Sequence, residues 1–250
     1  MTQLNDIPVL AQLQFYLTSS YTCSYLPDRI ARSQVVTPAH LVNKSAYNQL
    51  IQAGFRRSGL FTYRPQCDEC SACVPVRVVV DAFEPNRTQK RTMKRNAMLD
   101  VTMTSPYFDP EHFALYQRYQ TARHPGGGMD HDDREQYVHF LVASHVDTRL
   151  LLFREGKQLQ MVSVVDNVGD GLSAVYTFFN PALSARSLGV FNVLWQINLA
   201  RAWGLPYLYL GYWVDGSRKM VYKQQYQPLQ GLINGDWRTW PTPQTDSAVR

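Results

Sequence analysis

The chain is narrowed first by what it lacks. No apolar run approaches the roughly 20 residues that cross a bilayer, so no membrane partner is expected. The opening MTQLNDIPVLAQLQFYL has neither the basic start nor the small-residue cleavage site of a secretory signal. There is no internal repeat, no low-complexity segment and no long block of like charge, the marks of solenoids and disordered tails. The six histidines show no H-x3-H spacing, so an imidazole metal site is not indicated. Cysteine is scarce too: four residues in 250 do not make a disulfide scaffold. These absences predict a cytoplasmic globular protein whose thiols are reduced.

What is present is unevenly placed. Hydrophobic residues make up 45% and charged residues 18%, enough for one large core or two modest domains. The net charge is +5, and it is local. Between Gly54 and Arg95 there are nine Lys/Arg against four acids, so this window alone matches the excess of the whole chain. Within it, FEPNRTQKRTMKRN sets Arg87, Lys90, Arg91, Lys94 and Arg95 at i, i+3, i+4, i+7 and i+8, one side of a helix. Pro85 and Asn86 supply a start signal, and Met93 is the only large apolar group. Such a helix gains little from core packing, and its bases repel one another. A phosphate backbone relieves that repulsion; a solvated face is the alternative.

The stretch RPQCDECSACVPVRVVV holds Cys67, Cys70 and Cys73 in a C-x2-C-x2-C pattern. A fourth ligand would have to be Cys23, reached across the fold. Four thiolates suit an iron–sulfur cluster or zinc; reduced thiols packed beside a strand are the other reading.

Coarse patterning makes the first hundred residues irregular. A helix is predicted over 45–53, with Ser45 as N-cap and Gly54 beyond its end, and a strand over 75–80. From residue 97 the order is strand (97–104), a helix opened by Asp109-Pro110-Glu111, a PGGG break and a helix over 133–146. Strands follow over 148–154, 158–165 and 172–179, then a helix over 187–203 ended by Gly204. A strand over 207–214, an Asp215-Gly216 turn, a helical piece near 219–226 and a strand over 229–233 complete it. The tail beyond Trp240 reads as frayed. The expected organisation is a cysteine-bearing N-terminal domain over 1–96, an α/β mixed-sheet domain over 97–237 and a tail over 238–250.

That order resembles the GNAT acyltransferase fold. Coenzyme A-using members carry Q/R-x-x-G-x-G/A at the helix start, where backbone N–H groups hold a pyrophosphate. Here Arg186-Ser-Leu-Gly189 matches half of the motif, but Phe191 stands at its last small position. A donor other than acetyl-coenzyme A is expected.

Several longer stretches carry a more specific resemblance: AYNQLIQAGFRRSGLFTYRP, CSACVPVRV, FEPNRTQKRTMKRN, RHPGGGMD, YTFFNP, YLYLGYW and KMVYK. They look like the arginyl-tRNA–protein transferases, most closely the bacterial aspartate/glutamate leucyltransferase branch, over roughly residues 15–237. The resemblance implies transfer of leucine from tRNA to the α-amine of a protein beginning with Asp or Glu, a step of N-degron degradation. It implies aminoacyl-tRNA and an acidic N-terminus as partners. An aminoacyl ester is already activated, so no cofactor is required for the transfer, although some family members hold an iron–sulfur cluster. This chain has Cys23-Ser-Tyr-Leu26 where the eukaryotic pattern is C-G-Y-C, one cysteine short.

Residue types then suggest roles. Arg56, Arg57 and Arg77 are candidates for the acidic side chain, because a carboxylate suits a bidentate guanidinium. Arg87, Lys90, Arg91, Lys94, Arg95 and Arg186 are candidates for tRNA. Tyr176, Tyr212, Lys219, Tyr222 and Lys223 are candidates for catalysis; a Lys could bind the oxyanion or the tRNA terminus, and a Tyr could relay a proton. Cys23, Cys67, Cys70 and Cys73 are the possible metal ligands. Alternatives are arginine as the transferred residue, a metal-bearing nucleic-acid-binding protein without transferase activity, and an ordinary N-acetyltransferase.

Overall fold

A computed structural model describes residues 9–126, 133–217 and 219–240. The N-terminal segment comprises α1 (Val9–Gln12), β1 (Gln14–Leu17), β2 (Tyr21–Thr22), β3 (Ile30–Ala31), β4 (Ser33–Thr37), α2 (Lys44–Gln52), β5 (Arg56–Ser58) and β6 (Phe61–Pro65). Four of its strands form a small sheet in the order β1-β4-β6-β5, and β2 pairs with β3. Helix α2 is capped by Asn43, whose side chain accepts from the Ala46 N–H at 3.0 Å, not by the expected Ser45. Asn43 takes the extended backbone of an N-cap two residues earlier, so Ser45 already lies within the first turn. Gly54 follows the helix with φ +86, the left-handed C′ position that glycine adopts without strain.

The remaining chain gives β7 (Cys73–Val79), α3 (Arg87–Arg95), β8 (Asp100–Thr104), α4 (Pro110–Arg123), α5 (Arg134–Tyr137), β9 (Thr148–Glu155) and β10 (Gln158–Val168). After these come β11 (Gly171–Phe179), α6 (Leu188–Ala202), β12 (Tyr207–Val214), β13 (Leu229–Ile233) and β14 (Asp236–Thr239). The large sheet is mixed, in the order β14-β13-β7-β12-β11-β10-β9-β8. β7, which precedes the expected domain break at residue 97, is an interior strand between β12 and β13. The two parts of the chain are therefore joined through one sheet.

Helix α6 covers one face, where Val193, Leu194 and Ile197 meet Val76, Val78, Leu208 and Leu210. On the other face lie α4 and α5, with Leu115, Tyr116 and Tyr137 against Val162, Val164 and Phe178. Helix α4 starts as predicted: Asp109 accepts from the Glu111 N–H at 2.7 Å and Pro110 occupies the first helical position. The helix expected over 133–146 is shorter. After α5 the chain forms a single wide turn, Val138–Val142, and the Ser144 hydroxyl then takes the Val146 N–H at 3.1 Å.

Two ends of elements also differ from expectation. Residues 97–99 finish the turns after α3, through Leu99 N–H to the Asn96 carbonyl at 3.1 Å, so β8 begins only at Asp100. The first residues of the tail expected over 238–250 belong to the fold: Arg238 and Thr239 finish β14, and Trp240 follows it. Asn234 and Gly235, at φ +51 and +87, turn β13 back on β14, an Asn-Gly hairpin, and the Trp240 ring lies 4.9 Å from Trp213. Residues 241–250 lie outside the described residues, as do Gly127 and Gly128 of the PGGG break. No helix among the described residues is long and apolar enough to cross a membrane.

Candidate active site

The large sheet opens at its centre. Parallel strands β11 and β12 pair only over Gly171–Ser173 with Tyr207–Tyr209. Each then bulges: β11 at Val175, where the register against β10 shifts, and β12 at Leu210, where the register against β7 shifts. Bulges bend a strand and end its pairing. Gly211 carries the bend at φ +77, a conformation side-chain-bearing residues rarely adopt.

Two cations occupy the opening. Arg56 enters from β5, 9% exposed, and donates from Nη1 to the Ser173 hydroxyl at 2.9 Å and from Nη2 to the Ala174 carbonyl. Lys223, 4% exposed on the 3-10 turn Val221–Gln225, donates to the Tyr212 carbonyl on β12. Among the described residues no carboxylate lies within 4.0 Å of either cation. Burial, and then the Arg56 charge, pull the Lys223 ammonium down to about 7, with Cys73 opposing. A buried charge without a counterion is costly, so this pair would welcome an anion. Tyr222, 46% exposed, presents its ring beside Lys223; burial and the neighbouring Tyr119 push its hydroxyl pKa up, against Arg56.

The other arginines proposed for the acidic side chain are spent elsewhere. Arg57 is a buried partner of Asp166, with Nε to Oδ2 and Nη2 to Oδ1 both at 2.7 Å. Arg77 donates from Nε to Gln230 at 2.9 Å and from Nη1 to the Tyr209 hydroxyl at 3.1 Å, and pairs with Asp170 at 3.7 Å. Tyr207 and Trp237 sandwich its guanidinium at 3.5 and 4.3 Å. Each of these guanidiniums, expected to meet an acidic substrate, already holds an internal carboxylate.

The catalytic candidates separate as well. The Tyr212 hydroxyl is buried and donates to the Gly54 carbonyl at 2.8 Å. Burial raises its pKa well above the usual value, and its bond to Gly54 ties β12 to the N-terminal segment. Tyr176 stands on β11 beyond the opening, accepts from Gln120 Nε2 at 3.0 Å and packs edge-on to Phe140 at 5.0 Å. Lys219 is exposed.

Helix α3 presents Arg87, Lys90, Arg91, Lys94 and Arg95 to solvent, as spaced. Its attachment differs from expectation. The apparently polar back is buried: Gln89, Thr92 and Asn96 are each under 5% exposed. Gln89 Nε2 donates to the Gln225 carbonyl at 3.1 Å, and Asn96 Nδ2 to the Arg186 carbonyl at 2.9 Å. Asn86 and Gln89 form a capping box. Because Gln225 belongs to the turn that carries Lys223, the basic helix is hydrogen-bonded to the wall of the opening. Arg186 is held by Glu155 at 2.6 Å and by Asn96 Oδ1 at 2.9 Å. Phe191 is 3% exposed and packs on Phe153, core where a phosphate loop would need open backbone.

All four cysteines line one cavity of about 190 Å³, with Tyr63 and Tyr212 among its walls. Cys23 Sγ accepts from the N–H groups of Tyr25 and Leu26 at 3.5 and 3.4 Å. Burial, with Cys67, Cys23 and Cys70 nearby, pushes the Cys73 thiol up to about 12. Among the described residues no three His, Cys, Asp or Glu side chains are close enough to hold a metal ion. The donor set has the chemistry of a thiolate site and converges on one cavity, but as arranged it is not a coordination sphere.

Sequence reasoning missed Ser173, which holds Arg56, and Asp166 and Asp170, which claim the other two arginines. No local pattern marks any of them, since each acts through a partner more than 90 residues away.

The family models described as arginine-tRNA-protein transferase, N terminus and C terminus, match residues 21–91 and 111–233. An aspartate/glutamate leucyltransferase of Thiobacillus denitrificans is 60% identical over 92% of this chain and 96% of its own length. Its counterpart in Nitrosospira multiformis is 56% identical over 95% and 94%. A crystal structure of FemX aligns over 85% of this chain and 84% of its own, at 9% identity and a TM-score of 0.46, too remote to carry an argument. The chain belongs to the arginine-tRNA-protein transferase family.

Proposed function

We propose that this protein transfers leucine from Leu-tRNA to the α-amine of proteins beginning with Asp or Glu, in the cytoplasm, marking them for N-degron degradation. The relatives named for that activity support it. The observation that carries it is the cation pair Arg56 and Lys223, buried in the opened sheet with no carboxylate of the described residues within 4.0 Å of either. An acidic side chain supplies the missing counterion.

The acceptor's neutral α-amine attacks the ester carbonyl of the aminoacyl-tRNA. The new C–N bond forms, the bond between the acyl carbon and the ribose oxygen breaks, and the proton shed by the amine restores the ribose hydroxyl. Since the ester is already activated, the protein's work is to position the two substrates and stabilise developing charge, and the step needs no metal. Arg56 holds the acceptor carboxylate. Lys223 gives a second positive charge or, when neutral, takes a proton. A part in proton relay or donor contact for Tyr222 beside Lys223, for Tyr176 on β11 beyond the opening and for the exposed Lys219 belongs to this proposal. The exposed bases of α3, with Arg186 behind them, take the tRNA phosphates.

The test is transfer of radiolabelled Leu, Arg or Phe from the matching tRNA to peptides beginning with Asp, Glu, Arg or Lys. Leucine on the Asp and Glu peptides alone is the expected result; arginine transfer to the same peptides would move the donor assignment, and no transfer to acidic peptides would overturn the proposal. Iron and zinc analysis of anaerobically purified protein measures whether the cysteines close on a metal.

A further inference from the structure

β5 is three residues long and forms an edge of the small sheet. Successive side chains of a strand leave on opposite faces, so neighbouring arginines part. Arg56 enters the opening between β11 and β12; Arg57 turns toward β10. There it makes a two-bond fork with Asp166, and it also donates to the Gly59 carbonyl and the Thr148 hydroxyl, both at 3.0 Å. The Thr148 hydroxyl in turn donates to Asp166 Oδ1 at 2.7 Å and meets the Ser144 hydroxyl at 2.6 Å. The paired side chains are 2% and 0% exposed. The turn after β5 is pinned as well: Gly59 N–H donates to the Phe140 carbonyl at 3.1 Å. A Cβ on Gly59 would stand 2.0 Å from the His139 carbonyl oxygen.

Energetics alone do not explain this network. A buried ion pair stabilises a fold little more than apolar groups of the same volume. What a bidentate fork supplies is a single geometry. A three-residue edge strand with no apolar alternation has weak register of its own, yet its first residue must reach Ser173 and Ala174. We infer that the Arg57–Asp166 ion pair is a positioning clamp that fixes the depth and orientation of β5, and through it the Arg56 guanidinium in the opened sheet. The acceptor carboxylate is then placed by a residue that never touches it. This inference rests on the assignment of Arg56 to the acidic acceptor.

Two variants test it, Arg57→Lys and the apolar double replacement Arg57→Met with Asp166→Leu. Lys keeps the charge but loses the fork; the double variant keeps the volume and leaves no orphan charge. The first readout needs no substrate: the Arg56 Nε–H signal in nitrogen-15 spectra. It should lose its exchange protection in both variants while the amides of α6 keep theirs. The second is kinetic: KM for an Asp-initiated peptide should rise on the order of 10- to 100-fold, with KM for the aminoacyl-tRNA unchanged. Arg56 protection retained in either folded variant overturns the clamp whatever the substrate proves to be. Loss of Arg56 protection without any change in acidic-peptide KM supports the clamp and instead counts against Arg56 as the acceptor site. A parallel fall in every kinetic constant and in α6 protection would mean a merely structural role and would also overturn it.

Discussion

Arg56 and Arg77 are both buried guanidiniums at the large sheet, and their surroundings are opposites. Arg77 is saturated: Asp170 supplies a carboxylate, Gln230 and Tyr209 accept its N–H groups, and Tyr207 and Trp237 cover its faces. Arg56 has a hydroxyl and a backbone carbonyl but, among the described residues, no carboxylate within 4.0 Å, and its charge is felt by another buried base, Lys223. One arrangement is complete within the chain. The other, on the proposal made above, is completed by the acidic side chain of the acceptor. Burial does not distinguish a structural arginine from a binding one; the accounting of its charge does.

That contrast breaks most directly at Arg56. Replacing it with Ala should lower kcat/KM for Asp- and Glu-initiated peptides by about 100-fold or more, the cost of one buried charged contact, while the melting temperature holds or rises. Arg77→Met should do the reverse. It removes the cation of Asp170, leaving that carboxylate only the Tyr209 hydroxyl and Gln52, and strips the Trp237 face of its guanidinium, so stability should fall by on the order of 2 kcal/mol with transfer by the folded fraction unchanged. Thermal melts and steady-state kinetics on both variants decide it; equal kinetic losses would erase the distinction. The tRNA side should respond separately. Lys90, Arg91 and Lys94 changed together to Ala should reduce the salt dependence of tRNA binding by about three counterions and leave peptide KM alone. A slope that does not move would remove α3 from the footprint.

How far the sequence announced this site follows from the range of the interactions. Local signals were legible: Asp109-Pro110 opens α4, Gly204 closes α6, and the strands from β9 to β12 lie where patterning puts them. The small sheet was not legible, because strands of three to five residues are too short for a period to show. Neither was the insertion of β7 between β12 and β13, a pairing across more than 120 residues of chain. The basic helix was read correctly on its charged face and incompletely on its back. Gln89 and Asn96 look like solvent residues until Gln225 and Arg186 offer them carbonyls. GFRRSG shows two adjacent arginines of the same type, and only the alternation of β5 against two different strands gives them different work.

Lys223 sharpens the comparison by pH, with a smaller effect. Its ordinary value of 10.5 is pulled down to about 7 in the fold. Below pH 7 both folded and unfolded chains hold the proton, and the fold bears the whole cost of an uncompensated buried charge. Between about 7 and 10.5 the folded chain has shed the proton that the unfolded chain keeps, so stability rises with pH across that window. Above it the difference is gone. Lys223→Met should therefore raise the melting temperature most at pH 6, progressively less toward pH 10, and flatten the wild-type dependence. An acidic peptide bound beside Arg56 supplies the missing counterion, so a saturating Asp-initiated peptide should stabilise wild type more at pH 6 than at pH 9. The same addition to the Arg56→Ala variant should lose that pH dependence, because the carboxylate is no longer held where Lys223 feels it. If the peptide stabilises both proteins equally at both pH values, the two cations do not share one anion.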